Sequence, residues 1–300
     1  MEKRTIYQGM PYPLITINEL QIGSLVVIEE KQYKVFDYNN FFTKKFFEER
    51  RRRVLAIIKP DAYSFIGQIM ERIISSGFYI KHLRSFKWNI EQAYDFYLEH
   101  IGKPYFDNLI KHASSGLSVG LELVSDNAVE RWRKLMGPKN VGVARKTAPH
   151  RLRALYGTNF IKNALHGSHS PSRSLSEIEF VFGSETRYNT TATLKGCSCL
   201  FVKPHAMQAG NLGLIIGDIM DNGFKITAIE QITLSKTEAN DFFKSYKDKS
   251  IEFVQMVNHV VSGPIVVMEV CKENAVDELR KIVGPNDPEE AVRVNPRSIR

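Results

Sequence analysis

The chain has 300 residues, enough for about two domains that each bury a core of their own. Hydrophobic residues make up 43% and charged residues 25% of it, a composition that excludes a wholly disordered or membrane-embedded chain. The net charge is +8, and the excess of basic residues lies within residues 1–183. This distribution suits a polyphosphate ligand or an acidic protein surface. A nucleic-acid ligand is disfavoured, because no repeat of basic and aromatic residues accompanies the charge.

The sequence contains no signal for secretion or membrane insertion. The N-terminus, Met-Glu-Lys-Arg-Thr, lacks an apolar stretch, and the longest apolar runs, such as residues 265–268, are far too short to span a bilayer. Cys197, Cys199 and Cys271 have the spacing of neither a disulfide framework nor a zinc site. We therefore expect a reducing, cytosolic compartment and no metal site within the protein.

Residues 1–50 are predicted to form a small β-rich segment. Strand-like stretches at residues 14–17, 25–30 and 33–38 are separated by turn-forming residues. The segment is too short for a core of its own, so it belongs to a larger unit or packs on its neighbour. The charged run at residues 48–53 is interpreted as a solvated linker or helix end, with a contact to an acidic partner as the alternative.

Alternating strands and helices begin at Val54. The pattern predicts strands at residues 54–58, 78–88 and 117–123, and helices at residues 66–76, 90–100, 105–113 and 127–136. This βαββαβ-like order predicts an α+β fold, a ferredoxin-like antiparallel sheet with its helices on one face.

The second half of the chain repeats the first. Residues 115–140 match residues 262–287 without a gap at 11 of 26 positions, which is more than chance produces, and residues 54–77 are echoed by 199–223. The sequence therefore predicts four segments: the β segment at 1–50, a complete domain at 54–183, a linker at 184–196 and an incomplete domain at 197–300. Nothing in the second copy corresponds to residues 154–183, so we expect the natural chain to continue beyond Arg300.

The stretch Asn-Ala-Leu-His-Gly-Ser at residues 163–168 carries the chemistry of the first copy. A short apolar run that ends in His-Gly-Ser leads an imidazole from a strand edge into a tight turn. The stretch Ser-Pro-Ser-Arg-Ser at residues 170–174 predicts a turn and a helix cap. Ser174 and Glu177 have the spacing of a capping box, so Glu177 is expected in the first turn of a helix, directed back towards His166. A histidine beside a glycine is, taken alone, more often a structural residue than a nucleophile.

Two motifs together resemble those of nucleoside diphosphate kinases. They are Ile-Ile-Lys-Pro-Asp at residues 57–61 and Asn-Ala-Leu-His-Gly-Ser at residues 163–168; the resemblance covers residues 54–183 in full and 197–300 in part. The tandem arrangement is similar to that of a ciliary type in this family, in which a DM-ten domain precedes two kinase domains. Residues 1–50 resemble the C-terminal half of that domain.

The resemblance implies transfer of a γ-phosphoryl group from a nucleoside triphosphate to a nucleoside diphosphate through a phosphohistidine. His166 is then the nucleophile, Glu177 orients its ring with the help of Ser168, and Tyr97 lies beside the ring. An imidazole whose tautomer is fixed by a carboxylate has the free lone pair that such a path needs near neutral pH.

The resemblance also implies a nucleotide site. It assigns Lys59, Arg133 and Arg153 to the phosphates, Tyr105 and Phe160 to the two sides of the base, and Asn163 with Lys59 to the ribose. Mg²⁺ carried by the nucleotide shares the phosphate charge, and a stacked base implies broad nucleotide specificity. Lys139 stands where the family commonly has a phosphate-binding threonine. Each residue alone fits an ordinary ion pair or half-buried aromatic position; their joint occurrence in one order favours a shared site.

The second copy keeps only part of this set. Lys203 and Arg280 persist, whereas His205 replaces Asp61 and Phe243 lies near the place of Tyr97. Because no counterpart of His166 is present, the second copy is predicted to be inactive.

Two functions from different classes fit these observations. One is an active phosphotransferase in the first copy; the other, implied by the resemblance, is a structural protein inside ciliary microtubules that contacts tubulin and other axonemal proteins. We favour an axonemal protein, in the cytoskeleton of the cytoplasm, that keeps the kinase site. The alternatives are a purely structural protein with vestigial nucleotide binding and a soluble kinase without a microtubule role; membrane and nucleic-acid partners are not expected.

Overall fold

The computed structural model describes residues 25–28, 31–40, 42–43, 52–183, 190–247 and 252–300. Residues 1–51 and 52–300 form two compact units. In the first unit, β1 (Leu25–Ile28) pairs antiparallel with β2 (Lys31–Lys34). The second strand of this pair begins two residues earlier than predicted and ends at Lys34. The strand predicted at residues 14–17 lies outside the described residues.

The first repeat contributes four strands to the second unit. They are β3 (Arg52–Ile58), β4 (Tyr79–Phe86), β5 (Ser118–Ser125) and β6 (Leu165–Gly167). All neighbours are antiparallel and the order is β6-β3-β5-β4, so the fourth strand lies beside the first. This order is the one that a split βαβ unit produces, and it confirms the α+β, ferredoxin-like fold.

Seven helices complete the first repeat. They are α1 (Ile66–Ser75), α2 (Ile90–Phe96), α3 (Phe106–Ala113), α4 (Ala128–Met136), α5 (Val141–Thr147), α6 (Leu152–Tyr156) and α7 (Pro171–Phe182). The helix predicted over residues 90–100 ends at Phe96 and is followed by a short 3-10 turn, Leu98–His100.

The expectation that the helices cover one face of the sheet is wrong. Every residue of β5 is buried, so both faces are covered. Helices α1 and α4 pack on one face around Trp132, whereas α2, α3 and α7 pack on the other around Phe86. The apolar run at residues 54–58 of β3 fits this arrangement, because a strand with one solvent-exposed face would alternate apolar and polar residues.

Within its described residues, the second repeat adds three strands and six helices. They are β7 (Cys197–Val202), α8 (Pro204–Gln208), α9 (Leu212–Asp221), β8 (Lys225–Ile232), α10 (Lys236–Phe242), α11 (Phe253–Val260), β9 (Ile265–Cys271), α12 (Ala275–Val283) and α13 (Pro288–Val294). Arg84 of β4 pairs with Glu230 of β8, which joins both repeats in one sheet of the order β6-β3-β5-β4-β8-β9-β7. Among the described residues, β7 has no neighbour on its outer edge.

Residues shared by the repeats hold special backbone conformations. Asn127 and Asn274 precede α4 and α12 with φ of 51° and 53°, a left-handed conformation that asparagine tolerates better than most residues. Gly137 and Gly284 end the same helices with φ of 81° and 84°, where a side chain would be strained. The local sequence identity therefore preserves the two ends of one helix in each repeat.

The repeats share a core across α1 and α9. A Cβ atom on Gly67 would lie 2.5 Å from the backbone N of Gly217, and one on Gly213 would lie 2.3 Å from the backbone N of Glu71. The two helices therefore touch along their backbones, with Ile69 and Ile216 buried in the same apolar cluster. In the described ranges, no helix combines the length and apolar character needed to cross a bilayer.

Candidate active site

The position of His166 is set by strand pairing and by one tryptophan. His166 is the register partner of Ile57 in the β3–β6 pair. Its carbonyl oxygen accepts a hydrogen bond from Trp132 Nε1 at 3.2 Å. A Cβ atom at Gly167 would lie 2.4 Å from that same Nε1, so only glycine lets the strand approach the indole.

The His166 ring is bound to a buried carboxylate. His166 Nε2 lies 3.0 Å from Glu177 Oε2, and Ser168 Oγ donates to the same oxygen at 2.5 Å. Burial would raise the pKa of Glu177, but the adjacent His166, the hydrogen bonds and Arg173 outweigh it and lower that pKa to about 2. An ionised carboxylate can only accept, so Nε2 carries the proton and Nδ1 keeps the free lone pair.

The predicted capping box at Ser174 is wrong. Helix α7 begins at Pro171, and its cap is Ser170, whose side chain accepts from the backbone N of Arg173. Ser174 is buried, where it accepts from Leu55 N and donates to Arg53 O. Glu177 therefore lies one turn later in α7 than predicted, and from there it reaches His166.

Arg173 is a site residue that the sequence reasoning missed. Its Nε donates to Glu177 Oε1 at 2.9 Å, the carboxylate oxygen that His166 does not use, and its Nη2 donates to Phe96 O at 2.9 Å. The available signal was its position four residues before Glu177 on a helix, where side chains of opposite charge meet. Arg173 thus fixes the plane of the carboxylate that orients the histidine.

Asp61 is a second missed residue, although it belongs to the Lys-Pro-Asp motif. Its Oδ2 accepts from the backbone N of Ala164 at 2.9 Å, and its Oδ1 lies 2.8 Å from His112 Nε2. Ala164 has a φ of 66°, which is unfavourable for a residue with a side chain. Asp61 therefore stabilises the strained residue that directs the chain into β6.

Aromatic rings surround the imidazole. The ring centroids of Phe96 and Tyr97 lie 5.0 and 5.9 Å from that of His166, both near edge-to-face geometry. Tyr97 is 4% exposed, and burial followed by the charge of Glu177 raises its pKa. Its hydroxyl is therefore neutral at physiological pH.

His166 opens into a cavity of about 1050 Å³. Nine of the eleven predicted site residues line it: Lys59, Tyr97, Tyr105, Arg133, Lys139, Arg153, Phe160, Asn163 and His166. Ser168 and Glu177 are buried behind the histidine. The structure therefore brings the predicted residues together around one concave surface, as a ligand site requires.

Two of the cavity's cations are buried. Lys59 Nζ donates to Asn163 Oδ1 at 2.7 Å and to Ile161 O at 3.3 Å; burial and the neighbouring Arg153 lower the pKa of Lys59 to about 7. Arg153 donates to Gly137 O and Leu165 O, and burial together with Arg133 lowers its pKa to about 10. The buried Nε of Arg153 has no hydrogen-bond partner within the described residues. Such a donor fits an anionic ligand in this cavity.

The predicted base position is partly closed. The rings of Tyr105 and Phe160 contact each other edge-to-face, with centroids 5.3 Å apart. Phe160 is 46% exposed, whereas Tyr105 is held by His100 Nδ1 at 3.1 Å from its hydroxyl. A base can therefore lie between the two rings only after Phe160 turns outward.

The second repeat holds a different set of groups at the equivalent place. Arg300 Nη1 donates to Gly284 O at 2.9 Å, as Arg153 Nη1 donates to Gly137 O at 3.0 Å. His205 Nδ1 lies 3.0 Å from His259 Nε2. This histidine pair takes the place of Asp61 and His112 in the first repeat. Phe243 directly follows α10, as Tyr97 directly follows α2. No counterpart of β6 or of its histidine occurs among the described residues of this repeat.

Comparison with known proteins finds relatives along both repeats. The family model described as "Nucleoside diphosphate kinase" matches residues 52–186 and 197–300. "Nucleoside diphosphate kinase homolog 7" of Rattus norvegicus is 35% identical over 300 residues, 99% of this chain and 76% of the relative. "Thioredoxin domain-containing protein 6" of Xenopus laevis is 35% identical over 267 residues, 88% of this chain and 41% of the relative. The nucleoside diphosphate kinase of Aquifex aeolicus is 42% identical over 132 residues, 43% of this chain and 93% of the relative.

The matched ranges contain both repeats and the histidine, carboxylate and cations of the cavity. Because the family model matches well over half of the chain, the resemblance carried by the two motifs is confirmed. The chain belongs to the nucleoside diphosphate kinase family.

Proposed function

We propose that the first repeat transfers a γ-phosphoryl group from a nucleoside triphosphate to a nucleoside diphosphate through His166. The observation that carries this proposal is the bond between His166 Nε2 and the ionised, buried Glu177, which leaves Nδ1 as the nucleophilic nitrogen beside a cavity lined by cations. A charged nucleotide entering this cavity meets the cations Lys59, Arg133 and Arg153, which supply the fixed positive charge that phosphoryl transfer needs.

The transfer has two balanced half-reactions. In the first, Nδ1 of His166 forms a bond to the γ-phosphorus while the bond from that phosphorus to the bridging oxygen breaks, and the diphosphate leaves with the electron pair. In the second, a terminal oxygen of another diphosphate attacks the phosphohistidine and releases the ring nitrogen. Because Nε2 keeps its proton throughout, Glu177 can stabilise the positive charge that develops on the ring. Mg²⁺ is expected to arrive with the nucleotide.

The test is phosphoryl exchange from ATP to a labelled nucleoside diphosphate. We expect the wild type and the His150→Ala control, which changes an exposed histidine, to be active, and His166→Ala to lose both exchange and an acid-labile phosphoprotein. An inactive wild type that still binds nucleotide, or full activity in His166→Ala, would contradict the proposal.

A structural role on ciliary microtubules is the second candidate. Its support is the tandem organisation, which is matched along 99% of this chain by the rat relative. In this proposal the protein contacts tubulin and other axonemal proteins, and the kinase site is retained or vestigial. The protein should then stay on doublet microtubules washed with high salt. Release at moderate salt would indicate a loose electrostatic association, and presence in the soluble fraction alone would support the soluble kinase instead.

A further inference from the structure

All three cysteines of the chain lie on β7 and β9. Cys197 is the register partner of Cys271, and Cys199 is the partner of Glu269. Directly opposite residues share a face of the sheet, and so do residues two apart along a strand. Cys197, Glu269 and Cys271 therefore project to the same face, although their spacing along the chain predicted no metal site.

These three residues, here called the thiol–carboxylate cluster, converge at their side-chain ends. One sulfur or carboxylate oxygen from each lies within 4.8 Å of the other two. In a tetrahedral zinc site the ligand atoms are about 3.5–3.8 Å apart, so side-chain rotations that shorten the separations by about 1 Å suffice. Glu269 is buried, whereas both thiols are half-buried, and an ion can therefore enter from solvent.

The corresponding carboxylate of the first repeat is neutralised by protein cations. Glu122 occupies the repeat position of Glu269 and lies 3.0 Å from Arg53, 3.6 Å from Lys81 and 2.6 Å from His82. In the described part of the chain, no lysine, arginine or histidine lies within ion-pair distance of Glu269. A buried carboxylate without a cation is unfavourable, and Cys197 stands at the repeat position of Arg53.

The carboxylate is also held in place before any ion binds. Glu269 Oε2 accepts from Thr193 N at 2.7 Å and Oε1 accepts from Leu194 N at 2.6 Å, and the Thr227 hydroxyl adds a further hydrogen bond. Donors of this kind keep a ligand oriented and ionised, and they are a regular feature of metal sites in proteins. The carboxylate can still bond to a cation through its remaining lone-pair position.

We propose that Cys197, Glu269 and Cys271 bind a zinc ion, with water as the fourth ligand. Each thiol loses its proton to solvent when its sulfur bonds to the ion, so two protons leave for each ion bound. Two thiolates and one carboxylate favour zinc over magnesium or calcium, which prefer oxygen ligands. The site lies on the second repeat and is separate from the nucleotide cavity.

Cys199 provides an internal control, because it shares the face but does not belong to the cluster. The full chain, kept reduced with a phosphine, is treated with iodoacetamide with and without Zn²⁺, and each cysteine is followed by peptide mass spectrometry. We expect Zn²⁺ at ten times its Kd to slow modification of Cys197 and Cys271 roughly tenfold and to leave Cys199 unchanged. Equal reactivity with and without Zn²⁺, or equal protection of Cys199, would overturn the proposal.

Cobalt tests the ligands independently. Co²⁺ bound to thiolates absorbs in the near ultraviolet, whereas Co²⁺ bound to the His205–His259 pair does not show this band. We expect the band in the wild type and in Cys199→Ser, less than half its intensity at the same Co²⁺ concentration in Cys197→Ser and Cys271→Ser, and weaker binding in Glu269→Gln. A wild type without the band, or a band of full intensity in Cys271→Ser, would show that the cluster does not bind the ion. If a serine variant fails to fold, the alkylation of the wild type decides.

Discussion

At His166 the chemistry depends on which ring nitrogen keeps its proton. Glu177 accepts from Nε2 and Ser168 donates to the same carboxylate oxygen, while Arg173 holds the other oxygen. These contacts fix both the orientation and the tautomer of the ring, because each oxygen of the carboxylate accepts a hydrogen bond from a specific donor. A change at this one carboxyl group should therefore affect the rate more than nucleotide binding.

Glu177→Gln tests this role. Glutamine keeps the size and an acceptor oxygen but not the charge that stabilises the ring during transfer, so we expect exchange to fall roughly 10- to 100-fold with little change in KM. Ser176→Ala, an exposed change on the same helix, is the control. Unchanged exchange in Glu177→Gln would show that the carboxylate is not needed to orient the nucleophile.

Lys59 should couple nucleotide binding to proton uptake. Its pKa in the folded protein is about 7, below its ordinary value of 10.5. Between these two pH values the unfolded chain holds a proton that the folded chain lacks. Lys59 therefore makes the free energy of unfolding rise with pH across this range. A bound phosphate favours the charged amine and reverses the shift.

We therefore expect the protein to take up roughly one proton when it binds a nucleotide at pH 8.5. Calorimetry in buffers of different ionisation enthalpy measures this uptake. Lys59→Met should abolish the uptake, and the exposed Lys146→Met should keep it. Equal uptake in wild type and Lys59→Met would assign the proton to another group.

At the scale of elements, the site depends on how closely β6 approaches α4. Trp132 of α4 donates to the carbonyl of His166, and Gly167 has no room for a side chain beside the indole. Asp61 holds the left-handed Ala164 immediately before the strand. The three-residue strand β6 is thus positioned by contacts from Trp132 and Asp61, which lie outside it, rather than by its own length.

Gly167→Ala should displace the indole or the strand. We expect a loss of about 1–3 kcal/mol in the free energy of unfolding and a fall in exchange, because a Cβ atom would overlap Trp132. Trp132→Phe removes the donor without adding bulk. It should cost about 1 kcal/mol through the hydrogen bond and a further amount through the cavity that the smaller ring leaves in the core. Wild-type stability and activity in Gly167→Ala would contradict the close approach.

For the whole molecule, the two repeats form one folding unit. They share a seven-stranded sheet and an apolar cluster, and helices α1 and α9 touch at glycines. Residues 52–300 accordingly form a single compact unit. Destabilising the second repeat should therefore unfold the first.

Two alanine substitutions one turn apart on α9 test this coupling. Gly213→Ala places a Cβ atom 2.3 Å from the backbone of Glu71, whereas Gly217→Ala meets nothing within 4 Å. We expect Gly213→Ala to lower Tm, and Gly217→Ala to leave Tm unchanged or raise it, since alanine is favoured over glycine by about 0.5–1 kcal/mol within a helix. Both tryptophans, Trp88 and Trp132, lie in the first repeat, so their fluorescence reports its unfolding. An unchanged fluorescence midpoint in Gly213→Ala would mean that the repeats unfold independently.

The sequence by itself determined what depends on short stretches of chain. Alternation and helical periodicity located three strands and four helices of the first repeat to within a few residues, but they did not predict α5 and α6. The repeat and the two motifs identified the family and indicated the candidate site around His166. These features follow from local secondary-structure propensity and from short motifs, so they can be predicted without knowing the tertiary contacts between segments.

The tertiary structure decided everything that depends on strand register and on contacts between distant elements. It took Ser174 into hydrogen bonds with β3, brought Asp61 to Ala164, and closed both faces of the sheet. It also set Cys197 opposite Cys271, although 73 residues separate them in the sequence. Register between strands is chosen by the packing of the whole sheet, and no local pattern in either strand encodes its partner.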